Sequence, residues 1–190
     1  MNEENKNGRI HPLTLLAQEA YQAFSELGFE IATGPELESE WYNFDVLNVK
    51  KDHPARDMQD TFHIKDAGET KSEKVLRTHT TSVTARAIEQ AGKENRLPAA
   101  FISIGKVFRN EATDFSHEMQ FFQIDGIMVG KIEDGVSISN LKGVLTHFYK
   151  KMLGDDVEVE FRPSFFPFTE PSLEVFAKFK GKWLEMMGSG

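Results

Sequence analysis

Four polar side chains lie inside two strongly apolar runs of the chain, at spacings that could serve a ligand. Arg109 and Glu111 end the first run, and Gln123 and Asp125 lie within the second. A guanidinium offers a planar set of donors suited to a pair of phosphate or carboxylate oxygens, and the carboxylates could accept from an amino group. Phe121, which begins the second run, could stack against a base. This set indicates recognition of a zwitterionic or phosphorylated small molecule.

An antiparallel hairpin, joined by a polar loop over residues 112–118, would bring these side chains together. Side chains on a strand alternate between its faces, and the odd-numbered residues form the polar face: Phe101, Ser103, Gly105, Val107, Arg109, Glu111, Phe121, Gln123 and Asp125. The even-numbered residues form the apolar face: Ile102, Ile104, Phe108, Phe122, Ile124 and Met128. Buried charges are costly unless they are paired or meet a ligand. The pattern alone favours equally a binding face and a ladder of cross-strand ion pairs.

Three further segments contain candidate contact residues. His79 lies between a predicted strand and a predicted helix, where a single histidine is more often structural than a ligand contact. The run Phe165-Phe-Pro-Phe168, which precedes Glu170, could fill a core or form one wall of an aromatic pocket. In such a pocket each edge-to-face contact contributes ~0.5–1.5 kcal/mol beyond burial. The stretch Gly188-Ser-Gly190 allows close approach of a ligand to the backbone and would equally suit a turn or an expression tag.

Composition narrows the class of protein. The 190 residues suffice for one domain with a sizeable core, and the absence of cysteine excludes a disulfide framework or a thiolate zinc site. A net charge of −8 without a polybasic run argues against a domain that binds mainly to a phosphate backbone. The sequence contains neither a signal peptide nor an apolar run near the ~20 residues of a membrane span. We therefore expect a cytoplasmic protein.

The spacing of apolar residues predicts an α+β fold, with an antiparallel sheet and helices packed on it. Helices are expected over residues 12–27, 36–46, 81–93 and 137–153. The hydroxyl of Thr80 or Thr81 is expected to cap the third of these helices. Besides the hairpin, strands are expected over residues 29–31, 61–64, 74–77, 157–162, 174–179 and 183–187. Residues 1–10 are expected to form a flexible head, and residues 11–190 one folded core.

The candidate hairpin also carries a resemblance. Phe108-Arg-Asn-Glu111, a variable loop with His117, and Phe121-Phe-Gln-Ile-Asp-Gly126 resemble motif 2 of class II aminoacyl-tRNA synthetases. Within that class the chain resembles the phenylalanyl-tRNA synthetase α-subunit family, because residues 53–62, 76–80, 165–172 and 181–185 occur there in the same order. The helix, strand and Gly34-Pro35 break near the start resemble motif 1, which builds the subunit interface in that class. Five ordered segments are a far more specific signal than one motif.

The resemblance implies a function: ATP-dependent activation of phenylalanine to phenylalanyl-adenylate, followed by transfer to tRNA(Phe). Arg109 and His117 would be catalytic, with Arg109 on the α-phosphate and the attacking carboxylate, and His117 near the outgoing phosphates. Glu111 would orient the ATP and Phe121 would stack on its adenine. Glu170 would help to hold Mg²⁺.

The resemblance also implies a pocket for phenylalanine. Its expected contact residues are His79, Thr81, Gln123, Asp125, Phe166, Phe168, Gly188 and Ser189. The first four would surround the ammonium group, and the two phenylalanines would recognise the phenyl ring. The family often has Gln at the position of Thr84, which leaves the role of Thr84 open.

The implied partners are the β subunit, in a heterotetramer, and tRNA(Phe), which would be bound mainly by regions outside this chain. Motif 3, which supplies a second arginine on the far face of adenine, has no match in residues 1–190. The catalytic core, residues 11–190, is therefore expected to be incomplete at its C-terminus and to bind ATP weakly. A non-catalytic synthetase-like paralogue, acting as a binding or regulatory module, is the alternative. A synthetase for another amino acid, such as phosphoserine, would need basic groups in place of Phe166 and Phe168.

Overall fold

A computed structural model describes residues 8–52, 56, 61–65, 73–110 and 118–190 of the chain. Most of the expected head lies outside these residues, as do the candidate site residues Glu111 and His117. The expected polar turn between the strands near residues 64 and 74 also lies outside them. No helix in the described ranges has the length and apolar character required to cross a membrane.

The described residues form the expected α+β fold. The helices are α1 (Pro12–Ser25), α2 (Glu40–Asn43), α3 (Thr81–Lys93) and α4 (Ile138–Leu153), with short 3-10 turns at Asp45–Leu47 and Ile132–Asp134. The strands are β1 (Glu30–Ile31), β2 (Leu37–Ser39), β3 (His63–Ile64), β4 (Lys74–Leu76), β5 (Ala99–Phe108), β6 (Gln120–Val129), β7 (Glu158–Phe166), β8 (Thr169–Phe179) and β9 (Lys182–Ser189). The prediction of helices near 12–27, 81–93 and 137–153 is confirmed.

The predicted hairpin is the pair β5 and β6, which lies in a sheet of order β1-β5-β6. The two strands are antiparallel, and the short β1 lies parallel to β5. Asp125 lies opposite Ser103, and Gln123 lies opposite Gly105. The alternation read from the sequence therefore places the polar residues of both strands on one face, as predicted.

Residues 36–46 do not form the single helix that was predicted. Leu37–Ser39 is the strand β2, which pairs with β4 in a sheet of order β2-β4-β3, and a single helical turn follows. Ser39 ends the strand and starts that turn, because its hydroxyl accepts from the backbone N–H of Tyr42 at 3.5 Å. Strand pairing and a buried ion pair at Glu38 outweigh the helical propensity of this stretch.

The three C-terminal strands form a meander of order β7-β8-β9 with antiparallel pairs. These strands are longer than predicted, because β7 extends through Phe166 and β8 begins at Thr169. Ser172 stabilises the tight connection, since its hydroxyl accepts from the N–H of Phe166 at 3.0 Å and donates to the carbonyl of Thr169 at 2.9 Å. The aromatic run thus lies at the end of this sheet.

Helices cover both faces of the hairpin. On the even-numbered face, Ile102 packs with residues of α1, α4 and β8: Ala20, Ala23, Phe24, Leu145, Phe148, Tyr149, Val175 and Ala177. The rings of Phe24 and Phe148 stack with their centroids 4.9 Å apart. On the odd-numbered face, Phe101 packs with Val83 and Ala91 of α3. Because the apolar side of α3 packs on the Phe101 end of the odd-numbered face, the polar residues lie nearer the hairpin loop, at the start of α3.

A buried ion pair joins β2 to α3. The side chain of Glu38 is 0% exposed, and both of its oxygens accept from the guanidinium of Arg86, at 2.7 and 2.6 Å. The same guanidinium lies 3.6 Å from the centroid of the Tyr42 ring, and Tyr42 donates to Glu89. These contacts fix β2 and α2 against the helix that starts at the candidate site.

Arg86→Ala should therefore lower the free energy of unfolding substantially. Removing one partner of a buried pair leaves an uncompensated charge and costs ~3–5 kcal/mol. We expect about 3 kcal/mol, because the Arg86 side chain is 39% exposed and water can partly replace it. Urea unfolding measures the change. Lys93→Ala, which removes an exposed ion pair with Glu89 on the same helix, is the control and should change little; equal effects of the two variants would contradict the prediction.

Candidate active site

The carboxylate of Asp125 is held by two threonines at the start of α3. The hydroxyl of Thr81 donates to one carboxylate oxygen at 3.1 Å, and the hydroxyl of Thr84 donates to the other at 2.6 Å. Two residues earlier on β6, the side-chain oxygen of Gln123 accepts from the backbone N–H of Thr80 at 3.1 Å. The start of α3 is thus docked on the polar face of the hairpin.

The threonines at this helix start do not cap it as predicted. Thr80 occupies the cap position, with φ −85° and ψ −2°, but makes no side-chain capping hydrogen bond, and its hydroxyl is buried without a partner among the described residues. The hydroxyls of Thr81 and Thr84 bond to Asp125 instead. The prediction of hydroxyl capping is wrong: the Thr81 hydroxyl bonds across to the hairpin, and the Thr80 hydroxyl makes no hydrogen bond to the helix start. The contact of Thr84, which the sequence left open, is with Asp125.

Burial raises the pKa of the half-buried Asp125 carboxyl, while the hydrogen bonds from Thr84 and Thr81 act in the opposite direction. A carboxylate with little water around it has a strong preference for a cationic partner. Its two hydroxyl donors fix its orientation and leave lone pairs for a ligand, because an ionised carboxyl accepts about four hydrogen bonds. This geometry suits an ammonium group.

His79 precedes this threonine pair and is held by the backbone of α2. Its Nε2 lies 2.8 Å from the carbonyl oxygen of Asn43, and its Nδ1 is buried without a partner within the described ranges. Burial lowers the pKa of His79 to about 4, and the nearby Arg109 lowers it further, against the hydrogen bond to Asn43. The imidazole is therefore neutral at pH 7.

Arg109 and Phe121 come together at the loop end of the hairpin. The guanidinium carbon of Arg109 lies 5.0 Å from the centroid of the Phe121 ring, and its Nε donates to the carbonyl of Thr78 at 3.5 Å. A guanidinium beside an aromatic face can serve phosphate oxygens and a base in one ligand. Glu111 and His117, the other residues expected to contact ATP, lie outside the described residues.

The aromatic residues form a second group on the C-terminal meander. The rings of Phe166 and Phe168 stack with centroids 6.0 Å apart and planes inclined by 21°. Gly188 provides the space for this arrangement, because a Cβ there would lie 2.6 and 2.7 Å from two carbons of the Phe166 ring. Phe168 is 50% exposed, which leaves one ring available to a ligand.

Ser189 and Glu170, the remaining candidate residues of the C-terminal sheet, differ in whether their side chains are free to contact a ligand. The hydroxyl of Ser189 is buried and donates to the carbonyl of Leu173 at 3.4 Å, so it contributes to the sheet. Glu170 is exposed at the start of β8. Among the described residues no group of three or more His, Asp or Glu side chains is placed to hold a metal ion.

Sequence reasoning missed two residues behind the site. Arg77 is 5% exposed and donates to the carbonyls of Lys106, Gly34 and Pro35 at 2.7, 3.1 and 3.3 Å. A Cβ at Gly105 would collide with its guanidinium, so the glycine makes room for the arginine. The position of Arg77 at the end of a predicted strand could have indicated a buried arginine, but not its partners on β5.

Asn43 is the second missed residue, and it is fully buried. Its amide accepts from the N–H of Thr78 at 3.0 Å and donates to the hydroxyl of Thr78 at 3.0 Å. Because it lies in a stretch predicted as a plain helix, no local pattern identified it.

The whole chain matches a known protein family. The model of the family described as "tRNA synthetases class II core domain (F)" matches residues 1–190. The chain belongs to this family. The resemblance to class II synthetases that the motif 2 hairpin showed is thus confirmed.

Relatives of this class II core extend beyond the chain. It is 46% identical over 195 residues to a protein of Syntrophobacter fumaroxidans named phenylalanine–tRNA ligase alpha subunit, covering 96% of this chain and 54% of that protein. The proteins of the same name from Syntrophus aciditrophicus and Bacillus mycoides are 45% and 43% identical, again with 54% of their length covered. The chain spans about half the length of these curated relatives.

A solved structure supports the fold. The pyrrolysyl tRNA synthetase PylSc of Desulfitobacterium hafniense superposes with a TM-score of 0.68 at 16% identity, over 93% of this chain and 55% of that one. At this identity the likeness concerns the fold alone, and it confirms the class II-like arrangement predicted from the sequence.

Proposed function

We propose that this chain is the catalytic core of a phenylalanine–tRNA ligase α subunit, which activates phenylalanine with ATP. One observation carries the proposal: Asp125, held by Thr81 and Thr84, lies on the same hairpin face as the Arg109–Phe121 pair. An acceptor for an ammonium group therefore lies on one surface with a binding place for phosphate and base. The identity of 43–46% to proteins named for this activity supports the same conclusion.

In the proposed reaction, a carboxylate oxygen of phenylalanine attacks the α-phosphorus of ATP. The new P–O bond forms as the bond to the β-phosphate oxygen breaks, and pyrophosphate leaves with the electron pair. This reaction requires no enzyme nucleophile, so catalysis depends on positioning and charge stabilisation. Arg109 would reduce the repulsion between the carboxylate and the α-phosphate. Phe121 would stack on adenine, and the predicted roles of Glu111 and His117 belong to the same proposal.

The amino acid would bind with its ammonium group among Asp125, Thr81, His79 and Gln123. Its phenyl ring would lie against the wall formed by Phe166 and Phe168, with Gly188 giving space behind that wall. The hydroxyl of Ser189 has a structural partner, so its contribution would come through the backbone.

The residues present fit a magnesium ion that is held mainly by the nucleotide. Mg²⁺ keeps several waters and typically takes one or two protein carboxylates together with substrate phosphates. Glu170 is exposed and could supply one such carboxylate. When bound, the ion would neutralise phosphate charge.

The β subunit and tRNA(Phe) are partners in the same proposal, with a cytoplasmic location. The non-catalytic paralogue remains the alternative function. The presence of His79, Arg109, Asp125 and the stacked phenylalanines favours the catalytic subunit, because a scaffold has no need of this set.

Thermal unfolding with a non-hydrolysable phenylalanyl-adenylate analogue tests the proposal, with the seryl analogue as control. A ligand that binds the folded state alone should stabilise it by ~2.7 kcal/mol at about a hundred times its dissociation constant. We expect a rise in Tm with the phenylalanyl analogue and a much smaller one with the seryl analogue. Equal shifts with both would contradict selectivity for phenylalanine. No shift with either would mean that the site is incomplete in these residues, which leaves the non-catalytic alternative or a fragment of the catalytic core.

A further inference from the structure

We propose that Asn43 is a positioning residue that holds His79 in the Nε2–H tautomer, so that Nδ1 accepts a hydrogen bond from the ammonium group of the bound amino acid. The second half of this inference rests on the proposed function, whereas the first half concerns the free protein.

The contacts of Asn43 connect α2 to the segment that leads into α3. Its side-chain amide makes two hydrogen bonds of 3.0 Å to Thr78, one to the backbone N–H and one to the hydroxyl. Its backbone carbonyl lies 2.8 Å from Nε2 of His79. The Asn43 side chain therefore fixes α2 against the segment that contains Thr78 and His79. As a consequence, the Asn43 carbonyl lies within hydrogen-bond distance of the His79 ring.

This arrangement decides where the imidazole carries its proton. A backbone carbonyl can only accept, so the short contact requires a hydrogen on Nε2. In a neutral imidazole the other nitrogen is then an unprotonated acceptor. The nearby positive charge of Arg109 and the burial of the ring both disfavour the imidazolium, whose Nδ1–H would have no acceptor among the described residues.

Nδ1 is an acceptor whose donor must come from elsewhere. It is buried and has no hydrogen-bond partner in the described part of the chain. Buried polar atoms without partners are rare, and they are often explained by a function. His79 lies two residues before Thr81, whose hydroxyl donates to Asp125, so both acceptors are held by the segment that starts α3. A ligand cation with several N–H donors suits these two acceptors.

Nitrogen-15 NMR of histidine-labelled protein, with His79 assigned from a His79→Gln variant, tests both halves. In the free protein at pH 7 we expect a protonated Nε2 and an unprotonated Nδ1. The phenylalanyl-adenylate analogue should shift the Nδ1 resonance in the direction of an accepted hydrogen bond, and its des-amino counterpart should not. A protonated Nδ1 in the free protein would overturn the positioning role. Equal shifts with both ligands would overturn the contact between Nδ1 and the ammonium group but leave the proposed function intact. Failure of the analogue to bind would refute both the proposed function and that contact.

Asn43→Ala separates positioning from general stability. We expect this variant to bind the amino-bearing analogue about tenfold more weakly, the scale of one lost hydrogen bond, and to bind the des-amino analogue with unchanged affinity. A merely structural role would weaken both ligands equally, which would overturn the inference. Asn140→Ala, at an exposed position in α4, is the matched control. If Asn43→Ala does not fold, Thr78→Val removes only the hydroxyl partner, and the same difference between the ligands is expected.

Discussion

Arg109→Ala should reduce the rate of phenylalanine-dependent ATP–pyrophosphate exchange by about 10²–10³-fold, the scale of one lost donor that stabilises transition-state charge. The effect is large because the attacking carboxylate and the α-phosphate are both anionic, and the proposed role of this guanidinium is to contact both. Arg109→Lys keeps the charge but loses the planar arrangement of donors, so an intermediate rate is expected. Exchange at saturating phenylalanine and ATP is the measurement.

The same strand offers a control for Arg109→Ala. Lys106 lies on β5 with its side chain on the opposite, even-numbered face, so Lys106→Ala should leave exchange near its normal rate. Tm should be nearly unchanged in both variants if Arg109 acts on the ligand rather than on the fold. Near-normal exchange in Arg109→Ala would refute its catalytic assignment.

Asp125→Asn should raise the KM for phenylalanine by about 10²-fold and leave the KM for ATP nearly unchanged. The amide keeps the size of the carboxylate but removes the charge that is proposed to face the ammonium group. A hydrogen bond to a charged group contributes ~1.5–3 kcal/mol, and the upper value corresponds to about two orders of magnitude in affinity. Exchange assays with each substrate varied in turn provide the two constants.

The pH dependence of the KM for phenylalanine gives a second test of Asp125. Burial raises the pKa of this carboxyl, so on acidification it takes up a proton at a higher pH than an exposed aspartate would. The neutral form attracts an ammonium group less, and the affinity for phenylalanine should therefore fall as the pH decreases. Asp125→Asn should lack this dependence, whereas Asp155→Asn, at an exposed position, should retain it. An identical pH profile in both variants would contradict the assignment.

The elements that the sequence predicted well are those whose signal is local. The three long helices repeat apolar residues every three or four positions, and β5 and β6 alternate at every second position, so each pattern is complete within one element. Residues 36–46 were mispredicted because their structure depends on distant partners. Glu38 bonds to Arg86, and Asn43 bonds to Thr78, across separations of 48 and 35 residues.

The same distinction applies to the candidate site. The alternation along the hairpin predicted that Phe121, Gln123 and Asp125 share a face with Arg109, and the register of the strands agrees. The hydroxyls of Thr81 and Thr84 could not be assigned from sequence, because helix capping and a bond to Asp125 are equally available to a threonine at a helix start. Arg77 depends on the space that Gly105 leaves in another strand, a relation that no local pattern contains.

The separation of the chain into three sheets has a mechanical consequence. The hairpin with Asp125 belongs to one sheet, and the stacked phenylalanines belong to another. Side chains of Ile102, Val175 and Ala177, packed in one cluster with α1 and α4, connect the two sheets. A change in the distance between the two sheets would therefore require these apolar side chains to slide past one another, and it would leave the strand pairing within each sheet intact. The width of the proposed phenylalanine pocket can thus be tuned from the core, by residues that are not expected to touch the ligand.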